Sequence, residues 1–184
     1  MFALIEPSHA RLAEYRQALE AGWSPGTEEN RIAELRRIAD DPADFVRLKA
    51  DDRAAQGPPV RFPDGSMVDR LPGFTMWMWD GAFCGSINLR WARDKGAMPP
   101  QVRGHVGYAV VPEKRRRGYA TAAIRLLLPH ARAEGLPYLD FVIAPANPAS
   151  IKAAVANGAR LREHFRRYPG GADDPPLLLY RLNL

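Results

Sequence analysis

The chain has 184 residues, 46% of them hydrophobic and 26% charged. That is the make-up of one folded domain spanning 1–184, with apolar surface enough for a full core; it excludes a disordered tail, a collagen-like rod and a repeat array. No apolar run approaches the roughly 18 residues that a membrane-crossing helix needs, so no membrane partner is expected. The net charge of +5 suits a small polyanionic ligand or nucleic acid as readily as no ligand at all. Lysine occurs only at Lys49, Lys95, Lys114 and Lys152, and Lys114-Arg115-Arg116-Arg117 is the one dense basic cluster. The single cysteine, Cys84, leaves no intramolecular disulfide and no cysteine-based zinc site. The first residues lack the basic-then-apolar build of a secretory leader, and a cytoplasmic setting is expected.

In chain order, a strand is predicted over 2–5 and ends at Glu6-Pro7. Ser8 reads as the N-cap of a helix from 9 to about 21, with Leu12, Tyr15, Ala18 and Leu19 on one face and Gly22 as its stop. Thr27 caps a second helix to about 39, and a third starts at Pro42. Gly57-Pro58-Pro59, Pro63-Asp64-Gly65 and Leu71-Pro72-Gly73 make 56–73 a long loop, of the kind that often serves function. Strands over 74–79 and 83–91 flank an Asp80-Gly81 hairpin turn; a loop over 92–103 and a strand over 104–111 follow. A long helix over 118–134 turns Ala120, Ala123, Ile124, Leu127, Leu128 and Ala131 inward and contains Pro129, which would bend it or weaken one turn. After a strand over 138–143, Pro148 opens a helix that Asn157-Gly158 stops; 160–168 is extended, Gly170-Gly171 turns the chain and 177–182 returns it. This order gives a mixed α/β sheet with helices on both faces.

The chemistry concentrates at 107–121. A strand ends in a tight basic turn, and a helix begins with small residues at Gly118 and Ala120. The first turn of a helix offers free backbone N–H groups and the positive end of the dipole, and Gly118 lets a ligand approach the backbone. Arginine forks add charge and bidentate phosphate contacts, so the segment reads as a cradle for a diphosphate. A solvated basic turn is the plain alternative.

Arg115-x-x-Gly118-x-Ala120 after a strand resembles the coenzyme-A pyrophosphate loop of the GNAT (Gcn5-related) N-acetyltransferases. Asn147-x-x-Ser150 at the next helix and Gly158 beyond it fall where that family has them, and Gly104-His105-Val106-Gly107-Tyr108 is similar to a subgroup of predicted bacterial acetyltransferases. The resemblance implies an α/β GNAT fold: a mixed, mostly antiparallel sheet of about seven strands flanked by helices, with a splayed strand pair binding coenzyme A. It implies an acyltransferase that moves the acetyl group of acetyl-CoA to a primary amine by direct attack. A small-molecule acceptor is favoured over a protein N-terminus or lysine; a non-catalytic acyl-CoA-binding or sensor module is the other reading. No metal and no nucleic-acid partner are expected, and a homodimer fits the family habit.

By the same resemblance, Val110 and Val111 face 141–144 across the pantetheine arm, with an N–H near Val110 stabilising the oxyanion. The pyrophosphate falls to the backbone of Arg115, Arg116, Arg117, Gly118, Tyr119 and Ala120, with the Thr121 hydroxyl added. Asn147 meets the pantetheine, and Ser150 is either a coenzyme contact or a cap partner. The tyrosine that often serves as acid is Ala154 here, which leaves another group, Tyr108 or Tyr180, or water as the donor. The usual glutamate base is replaced by Gly104 and His105, so His105 is either a base, with its ordinary pKa of about 6.5, or a ring that holds a loop. Trp77, Asn88 and Arg90 are the candidate acceptor contacts, each either lining the site or packing; Arg90 would select a carboxylate or phosphate near the amine.

Overall fold

The computed structural model describes residues 1–55, 59–62, 65–166 and 176–184. Its elements in order are β1 (Ala3–Ile5), α1 (Leu12–Glu20), α2 (Glu28–Asp40), α3 (Pro42–Ala50), β2 (Val60–Arg61), β3 (Met67–Val68), β4 (Gly73–Trp79), β5 (Phe83–Arg90), β6 (Val106–Val110), α4 (Tyr119–Ala133), β7 (Tyr138–Ile143), α5 (Pro148–Val155), β8 (Arg160–Phe165) and β9 (Leu177–Asn183). Ser8 makes no side-chain cap; it precedes a 3-10 turn over His9–Arg11, and α1 follows directly. Thr27 and Asn30 form a reciprocal capping box at α2, and Asp41 caps α3 ahead of Pro42. Helix α4 runs on through Pro129. The loop predicted over 56–73 contains the short antiparallel ribbon β2–β3. Gly57-Pro58, Pro63-Asp64, the Gly170-Gly171 turn and the end of the extended run at 167–168 lie outside the described residues.

The strands form two larger antiparallel sheets rather than one continuous ladder. Their orders are β1-β4-β5-β6 and β7-β9-β8, so β6 and β7 are facing edges. Alternation along the strands sorts side chains to two cores. Phe74, Met76, Met78, Ile87 and Leu89 pack with Ala123, Ile124 and Leu127 of α4 and with Ala153 and Ala154 of α5. Trp77, Trp79 and Phe83 take the opposite face and pack with Tyr15, Leu19, Ile38 and Phe45 from α1–α3 and with Trp23 between α1 and α2. Helices therefore cover both faces of the first sheet.

Candidate active site

The site begins where the two sheets part. His105 shares its backbone between them: its carbonyl accepts from Arg90 N–H of β5 (2.9 Å), while its N–H donates to the Asp140 carbonyl of β7 (2.8 Å). The Asp140 N–H donates in turn to His105 Nδ1 (3.1 Å). The ring meets Tyr138 edge-on, and the Asp140 carboxylate holds Arg181 by two bonds of 2.7 Å. Gly104 passes so close to β7 that a Cβ there would lie 3.3 Å from the Val142 side chain. Beyond this clasp β6 and β7 exchange no ladder bonds.

Ladder parity determines what β6 presents to the opening. Residues paired by hydrogen bonds alternate along an antiparallel strand. Arg90 N–H bonds His105 and Val111 N–H bonds Cys84, so the odd-numbered residues of β6 face β5. The N–H groups of Tyr108 and Val110 therefore point into the gap. The Val110 carbonyl accepts from Arg115 Nε (3.1 Å). Val111 differs from expectation: its N–H goes to Cys84, its carbonyl takes Lys114 N–H, and its side chain is buried in the α1–α3 core, so it has no group left for a pantetheine arm.

The basic turn lies at the open end of the gap. A 3-10 turn over Pro112–Lys114 leads to Arg116 and Gly118, both with positive φ (61° and 79°), and then to α4. No side chain caps α4, so the N–H groups of Tyr119, Ala120 and Thr121 are open to an anion. A Cβ at Gly118 would meet nothing within 4 Å; glycine is there for its left-handed backbone, which turns successive N–H groups into one concavity. Arg115, Arg116 and Arg117 are exposed, and none is paired with a carboxylate among the described residues.

Asp80 organises this turn, a role its place in a hairpin signal did not reveal. Its carboxylate takes Lys114 Nζ at 2.7 and 2.9 Å and the Tyr119 hydroxyl at 2.6 Å. The Lys114 bond, then the Tyr119 bond, hold that carboxyl well below the usual carboxylate range. Tyr119 also stacks on Phe2 at 4.7 Å, so its side chain packs and only its backbone N–H faces the cradle. Lys114 is spent on Asp80, which leaves the three arginines as the free cations.

Tyr108 reaches from β6 to α5. Its hydroxyl is 2.7 Å from Ser150 Oγ and donates to the Ser150 carbonyl at 3.2 Å. Burial pushes the phenol above its ordinary value, with the Ser150 bond opposing, so it stays protonated at neutral pH. Asn147 Oδ1 accepts from Ser150 N–H and caps α5, leaving its exposed Nδ2 to donate elsewhere. Ala154 is fully buried in the core against α4, where a phenol has no room. Tyr180 lies on β9 opposite Phe141 and packs on the same core. Asn157, read from sequence as a helix stop, also ties α5 to the cradle helix by donating to the carbonyls of Thr121 (3.1 Å) and Ala153 (2.8 Å).

Other expectations fall differently. His105 does not serve as a base in this arrangement: a neutral imidazole has one lone pair, on Nδ1 here, and Asp140 N–H occupies it. Burial lowers its pKa further, with the Asp140 charge opposing. Trp77 is fully buried, stacked on Tyr15 at 4.9 Å, and belongs to the α1–α3 core rather than to an acceptor surface. Asn88 and Arg90 remain half-exposed on that sheet face. Cys84 is buried, and burial pushes its thiol up to about 11, which excludes it as a nucleophile near neutral pH. Among the described residues no cluster of His, Cys, Asp and Glu could hold a metal, and no helix is long and apolar enough to cross a membrane.

The splay, the open helix N-terminus and the arginines without a carboxylate partner make a site suited to a phosphorylated ligand. The chain belongs to the GNAT family: the acetyltransferase (GNAT) domain model matches residues 34–160. It is thus an acyltransferase. Solved structures agree on the fold. RimJ of Mycobacterium smegmatis in complex with CoA-disulfide is 20% identical, with 99% of this chain and 81% of that one covered and a TM-score of 0.66. The microcin C7 self-immunity acetyltransferase MccE, in complex with acetyl-CoA and AMP, is 11% identical over 100% and 92% of the two chains, with a TM-score of 0.62. RimL, the ribosomal L7/L12 alpha-N-protein acetyltransferase, in complex with coenzyme A, is 12% identical over 100% and 94%, also at 0.62. A comparison with curated proteins found no match.

Proposed function

We propose that this protein transfers the acetyl group of acetyl-CoA to the primary amine of a small molecule, with Tyr108 as proton donor to the leaving sulfur. The open N-terminus of α4 beside Arg115, Arg116 and Arg117 carries the reading: it is built for a diphosphate and opens onto two gap-facing N–H donors, at Tyr108 and Val110. A neutral amine attacks the thioester carbonyl, and one of those N–H groups stabilises the oxygen as it gains charge. The C–S bond then breaks and the sulfur takes a proton from the Tyr108 hydroxyl; Ser150 returns one to Tyr108 and is itself reset from solvent. The amine loses its proton to water. Asn147 Nδ2 is free to bond the pantetheine arm, and Thr121 to bond the pyrophosphate. The likeness to RimL supports a second reading, in which the acceptor is a protein N-terminus.

The test follows free thiol with acetyl-CoA and a panel of small amines and N-terminal peptides. Tyr108→Phe should lower kcat by about 10²-fold near pH 7 and leave acetyl-CoA affinity unchanged. The deficit should narrow above about pH 8.5, where a thiolate leaves without a donor. Equal kcat in the variant would remove Tyr108 from the chemistry. Tight coenzyme binding with no turnover of any amine would favour the non-catalytic module, and turnover of peptides alone the second reading.

A further inference from the structure

A cavity of about 240 Å³ lies at the end of β5, away from the coenzyme cradle. Its wall holds two carboxylates and two arginines, Asp52, Asp69, Arg70 and Arg90, with Phe62 and Leu71 among its apolar members. Arg90 is the unusual member. Its Nε donates to the Gly104 carbonyl at 2.9 Å, and no carboxylate pairs with its guanidinium among the described residues. Burial alone pushes its pKa down, with no opposing anion. The carboxyl of Asp52, in the same wall, is raised by burial and lies in the fields of Arg70, Arg37 and Arg47, with no contribution from Arg90. A partly desolvated cation without a counter-ion is unfavourable, and a planar fork of donors matches an oxyanion.

The position of Arg90 adds the second element. It bonds His105 across the ladder, so it stands level with the clasp that closes the β6–β7 gap. Tyr108 is three residues further along β6, about 10 Å by strand rise; its side chain points to the α5 face, while Arg90 and Asn88 project from the opposite face, so the two sides meet only through the β6–β7 gap. Between these levels, on the Arg90 face, Asn88 lays its carboxamide over Gly107, where a Cβ would be 2.6 Å from Oδ1. That carboxamide has no hydrogen-bond partner among the described residues. An unspent amide thus lies on the Arg90 face between an unpaired cation and the level at which the gap reaches the transfer centre.

We propose that this cavity seats the acceptor and that Arg90 selects amines carrying an anionic group, a carboxylate or a phosphate, within a short chain of the nucleophile. Asn88 hydrogen-bonds the linker between the two groups. The inference rests on the acetyl-transfer reading of the gap. Its test pairs β-alanine, γ-aminobutyrate and α-amino acids with their carboxamides, and phosphoethanolamine with ethanolamine. Each is measured twice: by binding to protein saturated with coenzyme A, and by thiol release from acetyl-CoA.

Wild-type protein should prefer the anionic member of a pair by about tenfold or more, in binding and in KM, and the better family reveals whether carboxylate or phosphate is the ligand. Arg90→Gln should bring that ratio to near one, and Arg90→Lys should restore part of it. An acetyl-CoA titration of each variant reports that the fold and cradle are intact. The proposal falls if the wild type does not discriminate, if none of the anionic amines binds, or if Arg90→Gln keeps the preference. Discrimination in binding without any thiol release would leave the anion site standing and overturn the acetyl-transfer reading instead.

Discussion

At the scale of single residues, His105 carries more of the structure than its chemistry announces. Its Nδ1 accepts the buried Asp140 N–H, and its backbone bridges two sheets. His105→Ala leaves that N–H without a partner and should cost about 1–3 kcal/mol in denaturant unfolding; His105→Asn, which keeps an acceptor, should recover part. The pH dependence has a definite sign. Burial lowers the imidazole pKa in the folded state, so the unfolded chain binds the proton more readily. The contribution of His105 is complete above its unfolded value of about 6.5 and is lost as pH falls through the lower folded value. Unfolding at pH 7.5 and at pH 5 checks this: the wild type should lose more stability on acidification than His105→Asn. Equal losses would mean that the ring does not titrate with folding.

Between elements, the site is a meeting of a strand edge with two helix starts. Asn147 caps α5 and so sets Ser150 against Tyr108 of β6. Asn147→Ala should lower stability by about 1 kcal/mol, the usual value of a side-chain N-cap, and should weaken coenzyme affinity as well through loss of the free Nδ2. A melting curve and a coenzyme titration on the same variant separate the two effects; a stability loss with unchanged affinity would confine Asn147 to capping. These elements were legible in the sequence because their signals are local. Thr27, Pro42 and Gly118 each act within one turn of chain, and the structure adds Asn30 and Asp41 as cap partners. The exceptions have local causes too: Ser8 opens a 3-10 turn, and the β2–β3 ribbon pairs only briefly inside a proline- and glycine-rich loop.

The whole molecule decides what no local pattern can. Whether Trp77 faced a ligand or a core depended on which side of the sheet α1–α3 cover, and they seal it against Tyr15. The role of His105 depended on Asp140, and that of Asp80 on Lys114 and Tyr119, all distant in sequence. The cradle was readable because turn, glycine and helix start are contiguous. The proposed acid was only half readable: Tyr108 was a candidate, but its contact with Ser150 needed β6 and α5 to be set side by side.

In the proposed enzyme, the Gly118 turn and the α4 N-terminus bind the pyrophosphate of acetyl-CoA at the mouth of the β6–β7 gap. Calorimetric titration of wild-type protein and of Gly118→Trp with acetyl-CoA tests it most directly. The space at Gly118 is open, so the indole is accommodated by the fold, at about 1–2 kcal/mol of left-handed backbone strain, and fills the cradle. Wild-type protein should bind with micromolar affinity, and the variant, still melting cooperatively, should bind well over tenfold more weakly. Equal binding by both proteins, or none by the wild type, would contradict this.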